Sequence, residues 1–241
     1  MAERTKVVLD AMGGDHSPGE MVLGAVNAVK EKDNLFVYIV GPSDRIRAEL
    51  DKHEYPKDQI EVIHAADEIT CHDAPVQAIR GKKDSSMVVG LRMVREGKAD
   101  GFVSAGNSGA VLVGGQVLVG KMKGIERAPL APIVPTLKGV SLLVDCGANV
   151  DAKPSNLLQF AQMGSIYMEN AMKIERPTVG ILNIGAEEEK GNALVKEAYP
   201  LLKNCKGINF IGSVEARDFI YGAADVVVTE AFAGNVMLKT I

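Results

Sequence analysis

Gly101-Phe-Val-Ser-Ala-Gly-Asn-Ser-Gly-Ala-Val-Leu-Val-Gly-Gly115 is the stretch on which the reading of this chain turns. A short apolar run ends at Ser104, a glycine turn follows, and a helix opens at Asn107–Ser108. The pattern is strand, tight turn, helix: half of a βα crossover. Such a turn aims free backbone N–H groups and the positive end of a helix at one spot, which suits phosphate or carboxylate. Two later stretches repeat the theme, Asn183-Ile-Gly-Ala-Glu-Glu-Glu-Lys-Gly-Asn192 and Thr229-Glu-Ala-Phe-Ala-Gly-Asn235. Three Gly-Asn turns suggest one cleft built from several loops.

Working outward, short apolar runs alternate with longer amphipathic ones. Strands are expected over 6–11, 35–40, 60–64, 101–104, 133–135, 141–145, 178–183, 208–211 and 225–229. Helices are expected over 19–31, 43–51, 74–80, 85–96, 108–121, 156–172, 192–203 and 214–220. The strands are β-branched and unalternated, as strands buried on both faces are. Alternating βα units give an α/β fold with a mostly parallel sheet between two helical layers. Ligands then bind beyond the carboxyl ends of the strands. The proline-dense 128–135 marks either a seam between subdomains or a rigid crossover within one domain. The expectation is one α/β/α catalytic domain over 1–241. Asn235 is expected to cap a new helix, and with only Val236 to Ile241 after it the natural chain is expected to continue further.

A chain of 241 residues with 46% hydrophobic and 24% charged residues is ordinary for a globular protein with a sizeable core. A net charge of −4 argues against a general nucleic-acid binder. Three widely spaced cysteines, Cys71, Cys146 and Cys205, read as reduced thiols in a cytoplasmic protein. Cys71-His72 lacks metal-ligand spacing, and no metal or cofactor is expected. The longest apolar stretch, 110–119, is too short and glycine-rich to span a bilayer; a peripheral membrane contact stays open.

The common nucleotide fingerprints do not occur: there is no GxxxxGK[ST], and no two glycines lie two apart, which rules out GxGxxG. Nor is there a GxSxG elbow. What remains is rich in Asn, Lys, Ser and backbone amides, groups that position and neutralise anions. That suits a reaction whose nucleophile arrives with the substrate, such as inorganic phosphate. A thioester is a fitting target, because a thiol of pKa about 8.5 leaves with little acid help. Positioning supplies roughly 7–11 kcal/mol and an oxyanion donor roughly 3–4 kcal/mol.

Five segments, in order, carry a resemblance. They are Leu9-Asp-Ala-Met-Gly-Gly-Asp-His-Ser-Pro18, Ser104-Ala-Gly-Asn-Ser-Gly-Ala110, Asp145-Cys-Gly-Ala-Asn-Val-Asp151, Asn183-Ile-Gly through Lys190-Gly-Asn192, and Gly234-Asn235. Together they resemble the bacterial acyl-[acyl-carrier-protein]:phosphate acyltransferases, the PlsX family. The resemblance implies transfer of a fatty acyl group to inorganic phosphate, giving an acyl phosphate for phospholipid synthesis. It also implies a fold like phosphotransacetylase and isopropylmalate dehydrogenase, a homodimer, and acyl carrier protein as partner. Ser108 and Ala233 stand where that family usually has Thr, and the family's C-terminal quarter lies beyond Ile241. Two other readings remain: a coenzyme A-dependent phosphotransacetylase, and an anion-binding scaffold without turnover.

Each candidate residue has two readings. Gly106, Asn107, Ser108 and Gly109 form a phosphate cradle or an ordinary helix N-cap. Lys190 and Asn192 neutralise and orient phosphate or the oxyanion, or start a solvated helix; a Lys there opposes the helix dipole, which a bound anion would explain. Asn235 is catalytic or a cap, and Lys239 a solvated charge. His16 is an acid–base group or a loop anchor. Asp10, Asp15, Asp145, Asn149 and Asn183 support the loops at strand ends, Asp145 and Asn149 by fixing the Gly147 turn. Glu187-Glu-Glu189 reads as a solvated charge run, with magnesium the weaker alternative. Arg80, Lys82 and Lys83, with Arg92, Arg95 and Lys98 behind them, form either a contact for the acidic carrier protein or a solvated face. The apolar helix over 110–119 walls an acyl groove or is core.

Overall fold

Among the described residues the strands form a four-stranded and a five-stranded sheet. The computed structural model describes residues 4–241, and the chain divides into two compact units, one ending at Met122 and the other running Lys123–Ile241.

In the first unit β1 (Thr5–Asp10), β2 (Leu35–Gly41), β3 (Ile60–His64) and β4 (Gly101–Val103) pair in the order β3-β2-β1-β4, all parallel. Helices α1 (Gly19–Glu31) and α2 (Ser43–Leu50) cover one face, where Val22, Val26 and Ile46 meet Leu9 and Ile39. Helix α4 (Ser86–Arg95) covers the other, where Met93 meets Val8 and Val40. Adjacent strand residues thus feed opposite cores, which is why these runs show no polar alternation. Helices α3 (Pro75–Gly81) and α5 (Ser108–Gly114) share a further cluster with α4, through Ile79, Leu91 and Ala110.

In the second unit β5 (Ile133–Thr136), β6 (Gly139–Val144), β7 (Thr178–Asn183), β8 (Asn209–Glu215) and β9 (Val226–Val228) pair in the order β5-β6-β9-β7-β8. Only the β5–β6 hairpin is antiparallel. Leu142, Val144, Val226 and Val228 face α6 (Pro154–Asn170) and α7 (Ala193–Lys203). Leu143 and Val227 face the opposite core, which takes Phe219 of α8 (Ala216–Phe219) and Met237 of α9 (Ala231–Thr240). Each unit is therefore a three-layer α/β arrangement on a mostly parallel sheet.

Three expected elements change. The helix over 108–121 becomes π-helical over Gly115–Val119 and stops before Gly120, whose φ of 99° suits a residue without Cβ. The helix over 214–220 shrinks to α8, because Ser213, Val214 and Glu215 continue β8 by pairing with Ile181, Leu182 and Asn183. The last helix starts four residues before Asn235.

Candidate functional site

At the carboxyl end of β1, Asp10 is buried and organises the first unit's loops. Its Oδ1 accepts from Ser86 Oγ at 2.5 Å and from the Met12 amide at 3.1 Å; its Oδ2 accepts from Ser104 Oγ at 2.8 Å. Ser104 Oγ in turn accepts from the Gly106 amide at 3.1 Å. Gly13 lies so close that a Cβ there would sit 2.7 Å from Ser104 Oγ and 2.9 Å from the Gly106 nitrogen. The 10–14 and 104–109 loops are thus one packed assembly. Asp15 and His16 sit in the exposed turn beyond it. Asp15 and Gly106 line a small cavity of about 180 Å³ with Met12, Thr70, Cys71 and His72.

Within the expected cradle the labour is divided. The Gly106 amide is spent on Ser104, so it holds the loop rather than a ligand. Asn107 caps α5: its Oδ1 accepts from the Ala110 amide, while its Nδ2 donates to Thr70 and Asp73 carbonyls. The cap takes the third-position amide, so the first-turn amides of Ser108 and Gly109 and the Ser108 hydroxyl are the groups left to meet an anion. Gly109 also packs on Pro75, whose Cγ would lie 2.9 Å from an added Cβ.

The basic group Arg80, Lys82 and Lys83 is not uniformly free. Lys82 Nζ bonds Asp73 Oδ2 and the Glu68 carbonyl, each at 2.8 Å. That hydrogen bond raises the Lys82 pKa, and it is the largest of the causes, with the Thr70 amide second, that hold Asp73 down at about 2. Arg80 and Lys83 remain exposed. Arg95 donates to the Leu118 carbonyl and Lys98 pairs with Glu96.

In the second unit Asp145 is fully buried at the end of β6. Its Oδ1 accepts from the Leu130 and Ala148 amides, its Oδ2 from the amide and side chain of Asn149. Asn149 Nδ2 also donates to the Ala128 carbonyl, and Ala231 donates back to the Asn149 carbonyl. Asp145 and Asn149 therefore fix the 145–149 turn. Burial first, then the Asp145 charge, pushes the Cys146 thiol up to about 11.

Asn183, mostly buried at the end of β7, donates from Nδ2 to the Lys190 carbonyl and Ser213 Oγ and accepts from the Ile184 amide. It ties the 184–191 loop to the sheet. Asn192 caps α7 through the Val195 amide. Lys190 is half-exposed and its Nζ lies 2.7 Å from Glu187 Oε1, which raises its pKa and lowers that of Glu187. The acidic run is thus partly paired: Glu187 with Lys190, Glu188 with Lys203.

At the third Gly-Asn turn the helix is started by Glu230 and not by Asn235. Glu230 caps α9, its carboxylate accepting from the Phe232 and Ala233 amides, so that helix end carries its own anion. Asn235 lies inside the helix and its Nδ2 donates to the Cys146 carbonyl at 3.3 Å. Gly234 is there because the helix backbone packs directly on the Asp145 carbonyl, where a Cβ would overlap it. Glu is not a favoured cap, so residue preference alone favoured Asn235.

Sequence reasoning passed over Ser86, Glu230 and a groove of about 410 Å³ lined by Asn183, Asn192, Leu194, Val195, Phe232 and Val236, among others. The apolar pair Phe232 and Val236, four apart, was the available signal. Among the described residues no group of three His, Cys, Asp or Glu is arranged to hold a metal ion, and no helix is long and apolar enough to cross a membrane.

Residues 5–241 match a protein-family model described as "Fatty acid synthesis protein". A phosphate acyltransferase from Alkaliphilus oremlandii (strain OhILAs) is 56% identical over 234 residues, covering 97% of this chain and 69% of the relative. A second, from Clostridium novyi (strain NT), is 50% identical over 234 residues, covering 97% and 70%. In fold, the chain is similar to a crystal structure of a phosphotransacetylase from Streptococcus pyogenes, with a TM-score of 0.72 at 19% identity, covering 98% of this chain and 80% of that one. The family-model match over nearly the whole chain and relatives at 50–56% identity show that the chain belongs to the phosphate acyltransferase family.

Proposed function

We propose that this enzyme moves a fatty acyl group from acyl carrier protein to inorganic phosphate, with bound phosphate attacking the thioester directly. Acyl transfer to phosphate is the chemistry of the family; the donor and the direct attack are the proposal. The observation that carries it is the kind of group on offer. Ser108 and Gly109 present unspent first-turn amides beside a loop that Asp10 and Ser104 hold rigid. Cys146, the thiol nearest the second set of candidate residues, is held protonated. Amides and hydroxyls of this kind bind and orient anions, and the proposed step needs no acyl-enzyme.

In the proposed step a phosphate oxygen forms a bond to the thioester carbon. The carbonyl electron pair moves to oxygen, and the tetrahedral oxyanion collapses with loss of the carbon–sulfur bond. The pantetheine sulfur takes a proton as it leaves. In the first unit Ser108 and Gly109 are assigned to phosphate and His16 to the proton; in the second unit Lys190 is assigned to charge and Asn192 to orientation. Asn235, tied to Cys146, and Asp15 act on loop shape. Arg80 and Lys83 meet the acidic carrier protein, with Lys82 between them tied to Asp73. We place the protein in the cytoplasm as a homodimer with a peripheral contact to the inner membrane face; the resemblance supports this.

The test is donor competition. Long-chain acyl carrier protein and the matching coenzyme A ester are supplied together with phosphate, and hydroxylamine-trapped acyl phosphate is measured. Preferential consumption of the carrier-protein donor is expected; preference for the coenzyme A ester would overturn the donor assignment. Lys190→Ala should lower turnover roughly tenfold, about 1.4 kcal/mol of barrier. Turnover like wild type in that variant would remove Lys190 from the chemistry.

A further inference from the structure

We infer that the acyl chain of the donor lies in the groove of the second unit between α7 and α9, an inference that rests on the acyl-transfer reading above. The groove is amphipathic in an ordered way. Asn183, Asn192 and Glu230 line part of it, at the carboxyl ends of β7 and β9 and the starts of α7 and α9. The rest is nearly all apolar, from Leu157 and Ile181 in the core to Leu194, Val195, Phe232 and Val236. Its volume of about 410 Å³ falls in the range of small-molecule sites.

The sequence sets this surface up deliberately. Phe232 and Val236 lie four apart on α9 and face outward, 67% and 51% exposed, although the helix buries Ala231 and Met237. Ile184, beside Asn183, is 79% exposed. Large apolar side chains gathered beside polar strand ends mark a place where an apolar ligand meets a polar reaction centre. Of the substrates in the proposed reaction, phosphate and the carrier protein are polar; the acyl chain is the one whose chemistry matches. A thioester carbonyl near Asn183 and Asn192 leaves the hydrocarbon to run over Leu194, Val195 and Val236. Each methylene so buried strengthens binding about fourfold.

The test uses Val236→Trp, at a half-exposed position that tolerates bulk, and Ala233→Phe as a second way of filling the groove. Specificity constants are measured with palmitoyl and octanoyl donors, oligomeric state is followed, and fluorescence of cis-parinaric acid reports apolar binding directly. Both variants should lower the palmitoyl-to-octanoyl ratio roughly tenfold, equivalent to about 1.4 kcal/mol, and weaken parinaric acid binding. Equal slowing with both donors and unaltered parinaric acid binding would overturn the inference. So would a change confined to oligomeric state, which would make the groove an interface between copies. If the wild type makes no acyl phosphate from any donor, the acyl-transfer reading itself fails, a result separate from the ratio.

Discussion

Asp10 shows how one side chain sets a loop. It accepts from Ser86 and Ser104, residues 76 and 94 positions away, and Ser104 passes the constraint to the Gly106 amide. Buried acceptors of this kind are costly to mismatch, about 1–3 kcal/mol each. Those partners are too distant in sequence for local pattern to show, so Asp10 was legible only as a polar residue at a strand end. Cys146 is a second case. A thiol pushed up to about 11 is almost wholly protonated at neutral pH and weakly nucleophilic. Under native conditions a maleimide should modify exposed Cys71 and leave Cys146 intact, as read by peptide mass mapping. Prompt labelling of Cys146 would contradict its burial and the non-covalent mechanism together.

At the scale of elements, helix starts decided most of what was read correctly and most of what was not. Asn107 and Asn192 each cap a helix that follows a strand, as their Gly-Asn turns indicate. Asn235 follows the same local pattern, yet Glu230 has already started α9 and Gly234 is required by close approach to Asp145. That contact lies 89 residues away in sequence, beyond any capping rule. Gly234→Ala should therefore destabilise by about 1–3 kcal/mol, the usual cost of overpacking, seen as a lower urea midpoint. A wild-type midpoint would show that α9 shifts freely. Near α3, the Asp73–Lys82 pair makes a pH-dependent contribution. Because the Asp73 value is lowered, its stabilisation is complete above the ordinary 3.8 and is lost as pH falls towards about 2. Both partners are solvent-exposed enough that the effect is small. Asp73→Asn should differ from wild type in urea midpoint above 3.8 and converge with it near 2; a gap constant with pH would contradict this.

For the whole molecule, strand identity was legible because every central strand is buried on both faces and reads as a run of Val, Ile and Leu. Which strands share a sheet was not. The insertion of β9 between β6 and β7 is a crossover decision made by packing of α6 and α9, not by any local pattern. The cap that starts α7 was legible from its Gly-Asn turn. The apolar groove of the second unit was not, because Leu194, Val195 and Phe232 come together only when α7 and α9 pack.

Direct attack of phosphate on the thioester is the proposal on which the assigned residue roles depend. The most direct measurement follows free thiol release from acyl carrier protein by the protein, with and without phosphate, and records the intact mass of the protein in each case. Thiol release is expected only with phosphate, in equal amount to trapped acyl phosphate, with an unaltered protein mass throughout. A burst of thiol release without phosphate, with the protein gaining the mass of one acyl group, would contradict it.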